Sequence, residues 1–113
     1  MAAGIDTLLI TSLGARVTNV KTSSGLLYFV IADTTSVKGW IQLFDALAPD
    51  VTLGTDVPKL SLPQADGDGA PALNNPFHPS LPVHFKTAIS AAFTTTGSGA
   101  TAVANGFANF GFL

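Results

Sequence analysis

A chain of 113 residues is long enough for one domain that buries roughly two thirds of its unfolded surface, and too short for a second independent core. Only 11% of it is charged, against roughly 25% in ordinary soluble domains, and its five basic residues (Arg16, Lys21, Lys38, Lys59, Lys86) are scattered singly at a net charge of −2, so the basic footprint needed for direct nucleic-acid binding is missing. The absence of cysteine excludes disulfides, thiol catalysis and Cys-based zinc sites, and the longest apolar run, the seven residues Leu26–Ala32, is far below the ~20 that a membrane-crossing helix needs.

All seven acids are aspartates, which favour turns over helix interiors, while threonine, valine, phenylalanine and glycine supply a strand vocabulary. Residues 1–14 hold Leu8, Leu9, Ile10 and Leu13 among glycines, serine and threonines, and are read as an extended N-terminal arm or a first strand. No lysine or arginine precedes Leu8-Leu9-Ile10, so this is not the pattern of a secretory signal. From residue 15 to 113 the pattern predicts one β-sandwich domain. Arg16–Val20 followed by Ser23-Ser24-Gly25 predicts a hairpin leading into Leu26–Asp33.

That central run is apolar on both faces under strict alternation, with Leu26, Tyr28, Val30 and Ala32 on one and Leu27, Phe29 and Ile31 on the other. A second cover is expected over it, from the chain's own arm or from another subunit. Next comes the strand around the only tryptophan, Gly39–Asp45, which is expected to pair with it. Two turn clusters follow, Ala48-Pro49-Asp50 and Leu53-Gly54-Thr55-Asp56, and then Val57–Pro63, whose prolines 58 and 63 mark an edge strand.

Residues 64–82, rich in proline and Asp-Gly, predict a long connection with a short strand near Ala70–Leu73. Val83–Phe85 and Thr87–Thr95 resume strand character, with Ile89, Ala91 and Phe93 facing the core. Thr94–Gly106 is low-complexity and predicts a flexible loop before an aromatic last strand, Phe107–Leu113. Short strands punctuated by turns every 8–12 residues predict an all-β fold, an antiparallel β-sandwich or jelly roll in a single domain.

Each candidate for chemistry is incomplete. Asp66-Gly67-Asp68-Gly69 opens like a calcium loop, yet the fifth and twelfth ligand positions hold Ala70 and Phe77, so an acidic turn is expected. His78 and His84 lack a third and fourth ligand and are read as exposed. Gly97-Ser98-Gly99 has Thr96 and Ala100 where a nucleophile elbow requires glycine, and no lysine for a phosphate loop. No enzyme activity, cofactor or metal is expected.

Phe29, Phe44, Phe85 and Phe93 are assigned to the core, whereas Trp40, Phe107, Phe110 and Phe112 are candidates for an intersubunit or partner interface. The low charge supports that choice. A surface with so few charges is poorly hydrated, and a permanent assembly would cover part of it.

Leu27-Tyr28, Trp40–Ala46, Pro49 with Leu53-Gly54-Thr55, Pro58 with Leu60–Pro63, and Phe85–Ala91 together resemble small virion structural proteins of tailed bacteriophages, over residues 15–113. The linker Asn74–Ser80 and the sequence Val83-His84-Phe85 depart from that pattern. The resemblance implies a capsid decoration or cement protein on the outer capsid surface of the virion, made in the host cytoplasm. Its partners would be the major capsid protein and copies of itself, with a homotrimer favoured. A tail- or fibre-associated sandwich that binds glycan through exposed aromatics is the competing expectation.

Overall fold

The computed structural model describes residues 4–13, 16–33, 39–64, 77–101 and 106–113. Eight strands occur among them: β1 (Asp6–Leu13), β2 (Thr18–Lys21), β3 (Gly25–Asp33), β4 (Gly39–Phe44), β5 (Leu60–Gln64), β6 (Val83–Phe85), β7 (Ile89–Thr94) and β8 (Gly106–Phe112). A single 3-10 turn, Ala48–Asp50, follows β4.

The strands form two four-stranded sheets, ordered β1-β8-β3-β6 and β2-β7-β4-β5, and every pairing is antiparallel. The fold is an all-β sandwich. Its core draws Leu13, Leu27, Val30, Phe85, Ala108 and Phe110 from the first sheet, and Val20, Ile41, Leu43, Ile89, Ala91 and Phe93 from the second. Each large side chain buried there contributes roughly 1.5–3 kcal/mol, which makes this layer the main source of stability. Ile89, Ala91 and Phe93 do form the inward face of β7.

Three sequence expectations are corrected. Arg16–Val20 and the central run do not form a hairpin: β2 pairs with β7 in one sheet, while β3 lies between β8 and β6 in the other. Thr22–Ser24 therefore crosses between the sheets. The tryptophan strand β4 is likewise in the sheet opposite β3 and pairs with β5 and β7. Both corrections share a cause, because β3 needs neighbours on each side and the last strand, β8, supplies the longer one.

The third concerns faces. A register shift between Leu27 and Phe29 inserts an extra residue, so Leu27 and Val30 both point inward and are fully buried although three positions apart. Strict alternation had set them on opposite faces. Phe29 consequently belongs to the outer face and not to the core.

Residues 6–13, read as an arm or first strand, pair with β8 as part of the first sheet. The Asp66–Gly69 turn and the strand expected at Ala70–Leu73 lie outside the described residues.

Candidate functional site

The two outer faces of the sandwich are treated very differently. On the second sheet, Trp40, Gln42 and Phe44 alternate outward from Ile41 and Leu43, yet Gln42 is fully buried and Phe44 nearly so. The chain covers them itself. Gln42 Nε2 donates to Thr94 Oγ1 (2.5 Å), to the Gly99 carbonyl (2.9 Å) and to the Thr96 carbonyl (3.3 Å). Ser61 Oγ donates to the Gly97 carbonyl (2.6 Å), and the Thr95 amide donates to the Thr101 carbonyl (3.0 Å).

Gly97 sits so near the indole that a methyl group there would come within 3.2 Å of Trp40. Residues 95–101, expected to be flexible from their composition, are therefore a flap pinned over the sheet. Of the rest of the expected loop, Thr94 belongs to β7, Gly106 to β8, and 102–105 lie outside the described residues.

The far end of the same face is closed by the chain after β4. The Asp45 carboxylate accepts from the backbone amides of Lys86 (2.9 Å), Thr87 (2.7 Å) and Ala88 (3.3 Å), and Ser90 Oγ donates to the Ala46 carbonyl (2.8 Å). Burial is the largest single influence on the Asp45 carboxyl and pushes its pKa up. The three amides, with the charge of Lys59, outweigh it and hold the group below the ordinary value of 3.8. Lys59 itself lies with its ammonium 5.7 Å from the centre of the Phe85 ring.

A small cavity of about 300 Å³ between Phe44, Asp50, Asp56 and Lys59 carries no spare ligand set. Asp45 is engaged as described, and Asp56 Oδ2 accepts from the Thr52 amide (2.7 Å) to close a turn in which Gly54 adopts φ +84°. The larger cleft, about 1050 Å³ between β2 and residues 48–53, is open, and Arg16 is the only charged side chain on its described wall. Among the described residues no three His, Cys, Asp or Glu side chains converge on a common point.

On the first sheet the outer face carries the row Leu9, Asn109 and Ile31 and the row Thr7, Gly111 and Phe29. Phe29 lies flat across Gly111, where a Cβ would fall inside its ring, and stacks on His78 with ring centres 5.9 Å apart. The arm does not supply the second cover expected over the central run, because it pairs edge to edge with β8 in the same sheet, and His78 covers part of Phe29 instead. Ile5 remains 44% exposed, Leu9 51% and Ile31 42%.

His78 and His84 both flank β3, His84 opposite Leu26 and His78 next to the Phe77 bridge to Val30. Four strand positions separate those anchor points, roughly 13 Å, which is too far to share one ion.

None of the protein-family models, curated proteins or solved structures compared with the chain matches it.

The four aromatic residues singled out for an interface part company. Trp40 is half-buried beneath the flap. Phe110 is fully buried in the chain's own core, so it packs the sandwich and not a partner. Phe112 is partly buried against the same core, and Phe107 occupies the β8 position opposite Asp33 with its side chain outside the described residues.

The residues that sequence reasoning missed are Gln42, Asp45 and the Phe29–His78 pair. Gln42 carried a weak signal as an amide in a run otherwise expected to pack, Trp-Ile-Gln-Leu-Phe.

Proposed function

We propose that this chain is a structural protein of a tailed-phage virion, a capsid decoration protein that binds the major capsid protein and stabilises the expanded head. One observation carries the reading: the second sheet is covered by the chain's own flap and turns, while the first keeps Ile5, Leu9 and Ile31 exposed on a charge-poor chain. A face of that kind suits association with other subunits. The resemblance over residues 15–113 supplies the virion setting, and copies of the chain, with a trimer favoured, are its proposed assembly.

The mechanism is linkage. A protein that binds the expanded lattice and not its precursor stabilises that lattice by its binding free energy, and an oligomer engaging several sites at once multiplies the effect through effective concentration. Glycan binding through Trp40 draws less support, because Gly97 and Ser61 pack on that side of the sheet.

The test is to remove the protein from purified particles and heat them. Shells that lose resistance to heat and regain it when the protein is added back support the cement role, and shells with unchanged resistance refute it.

A further inference from the structure

Two four-stranded sheets have four edges, and three of them are guarded. An open strand edge offers unpaired amides and carbonyls to any passing strand, and folded proteins blunt that hazard with short strands, proline, lysine or a covering segment. β6 is only three residues long and lies between Pro82 and Lys86. β5 contains Pro63 and follows Lys59. β2 is four residues long, ends in Lys21, and is strapped by the Ala48 amide donating to Asn19 Oδ1 (2.8 Å).

β1 has none of these devices along most of its length. It spans eight residues, has one charge, Asp6, at its start, contains neither proline nor lysine, and among the described residues nothing pairs with its outer side. Its only irregularity is the register shift between Ile10 and Leu13. Asp6–Ile10 is left as a regular edge whose one charge is Asp6, with Gly4 and Ile5 leading into it.

We propose that β1 is a self-association edge, pairing antiparallel with β1 of a second copy about a two-fold axis through Thr7. In this register Asp6–Leu8 of the two strands pair directly, and Ile5, just ahead of the strand, extends the pairing by one residue to meet Leu9. The register places Ile5 of each copy opposite Leu9 of the other, joining the exposed apolar side chains on either side of Thr7 in two equivalent pairs. Asp6 faces Leu8 across the junction, so no like charges meet.

Alternation is preserved as well. The exposed residues Ile5, Thr7 and Leu9 continue the outer face, while Leu8 and Ile10, which pack against the core, continue the inner one. The two first sheets become one continuous eight-stranded sheet. A second copy fits this edge because the segment is self-complementary in register, face and charge. The pairing is independent of the virion reading and of the trimer favoured there, since it is a two-fold contact that requires only two copies of this chain.

The chain has no cysteine, so introduced thiols report without background. Directly opposed residues of antiparallel strands have Cα atoms roughly 4.5–5.5 Å apart, inside the range of about 4.4–6.8 Å that a disulfide spans. Thr7→Cys, at an exposed position, is expected to yield a disulfide-linked dimer under mild oxidation. Ile5→Cys mixed with Leu9→Cys is expected to yield the mixed dimer in preference to either self-linked one. Val57→Cys, on an 87% exposed side chain far along the chain, sets the level of random collision.

Thr7→Lys is expected to remove β1-mediated dimers in sedimentation while leaving the melting temperature of the protomer unchanged. The proposal is overturned if Thr7→Cys links no better than Val57→Cys, if Ile5→Cys links to itself as readily as to Leu9→Cys, or if dimers of the protein survive Thr7→Lys.

Discussion

Replacing Gln42 by leucine tests the self-covered face directly. The amide has two N–H groups, which the distances assign to Thr94 Oγ1 (2.5 Å) and the Gly99 carbonyl (2.9 Å), with the Thr96 carbonyl (3.3 Å) as a weaker third acceptor. Losing two such bonds costs about 1 kcal/mol each, and the Gly99 carbonyl, stripped of its partner, adds about 1–3 kcal/mol, while the Thr96 carbonyl keeps the bond from Thr94 Oγ1 (2.8 Å). Against this, Gln42 Oε1 is buried with no partner, so leucine also removes an unsatisfied acceptor and recovers a comparable 1–3 kcal/mol.

The side chains are similar in size, which keeps any cavity small. The net expectation is a loss of about 2 kcal/mol, or roughly 8 °C in melting temperature for a domain of this length. The change should be local in origin. Trp40, the only tryptophan, lies under the same flap, so Gln42→Leu should shift its emission to the red, increase its quenching by acrylamide, and speed exchange of the Thr95 amide that is bonded to Thr101. Unchanged Trp40 emission together with unchanged exchange at Thr95 would refute the claim that Gln42 holds residues 95–101 in place.

Two further perturbations follow from the geometry. Because the folded pKa of Asp45 lies below 3.8, its charge contributes stability that is complete above that value and lost as pH falls through the lower folded one. Melting curves of the wild type and Asp45→Asn between neutral and about pH 2 should therefore converge in acid, and a gap that stays constant contradicts the assignment. Gly111→Ala drives a methyl into the Phe29 ring and should destabilise by about 1–3 kcal/mol, measured by urea unfolding. Phe29→Ala in the same chain should make the Gly111→Ala cost much smaller, which a double-mutant cycle reads.

How far the sequence revealed the fold depended on how local each determinant was. The inward face of β7 could be read from Ile89, Ala91 and Phe93, since strand alternation needs no knowledge of neighbours. The edge character of β5 followed from Pro58 and Pro63 in the same way. The central run misled because its bulge turns Leu27 and Val30 to one side, and a one-residue insertion reassigns every face after it.

Phe110 is an interface candidate on sequence alone because nothing in the aromatic last strand says which of Phe107, Phe110 and Phe112 turns inward. In the sheet β8 lies between β1 and β3, where its inward aromatic side chain is fully buried. The flap was hidden for a different reason. Its composition is that of a linker, and what fixes it is a glutamine 52 to 57 positions earlier in the chain. Long-range pairing of this kind leaves no local signature. The exposed edge of β1 was half visible: its lack of charge could be read, but not its place at the end of a sheet.

The central claim, that this chain is a shell-bound structural protein, is tested most directly by its abundance in purified virions. Quantitative electrophoresis is expected to find it in copy numbers comparable with those of the major capsid protein. A handful of copies per particle, or none, would contradict the account.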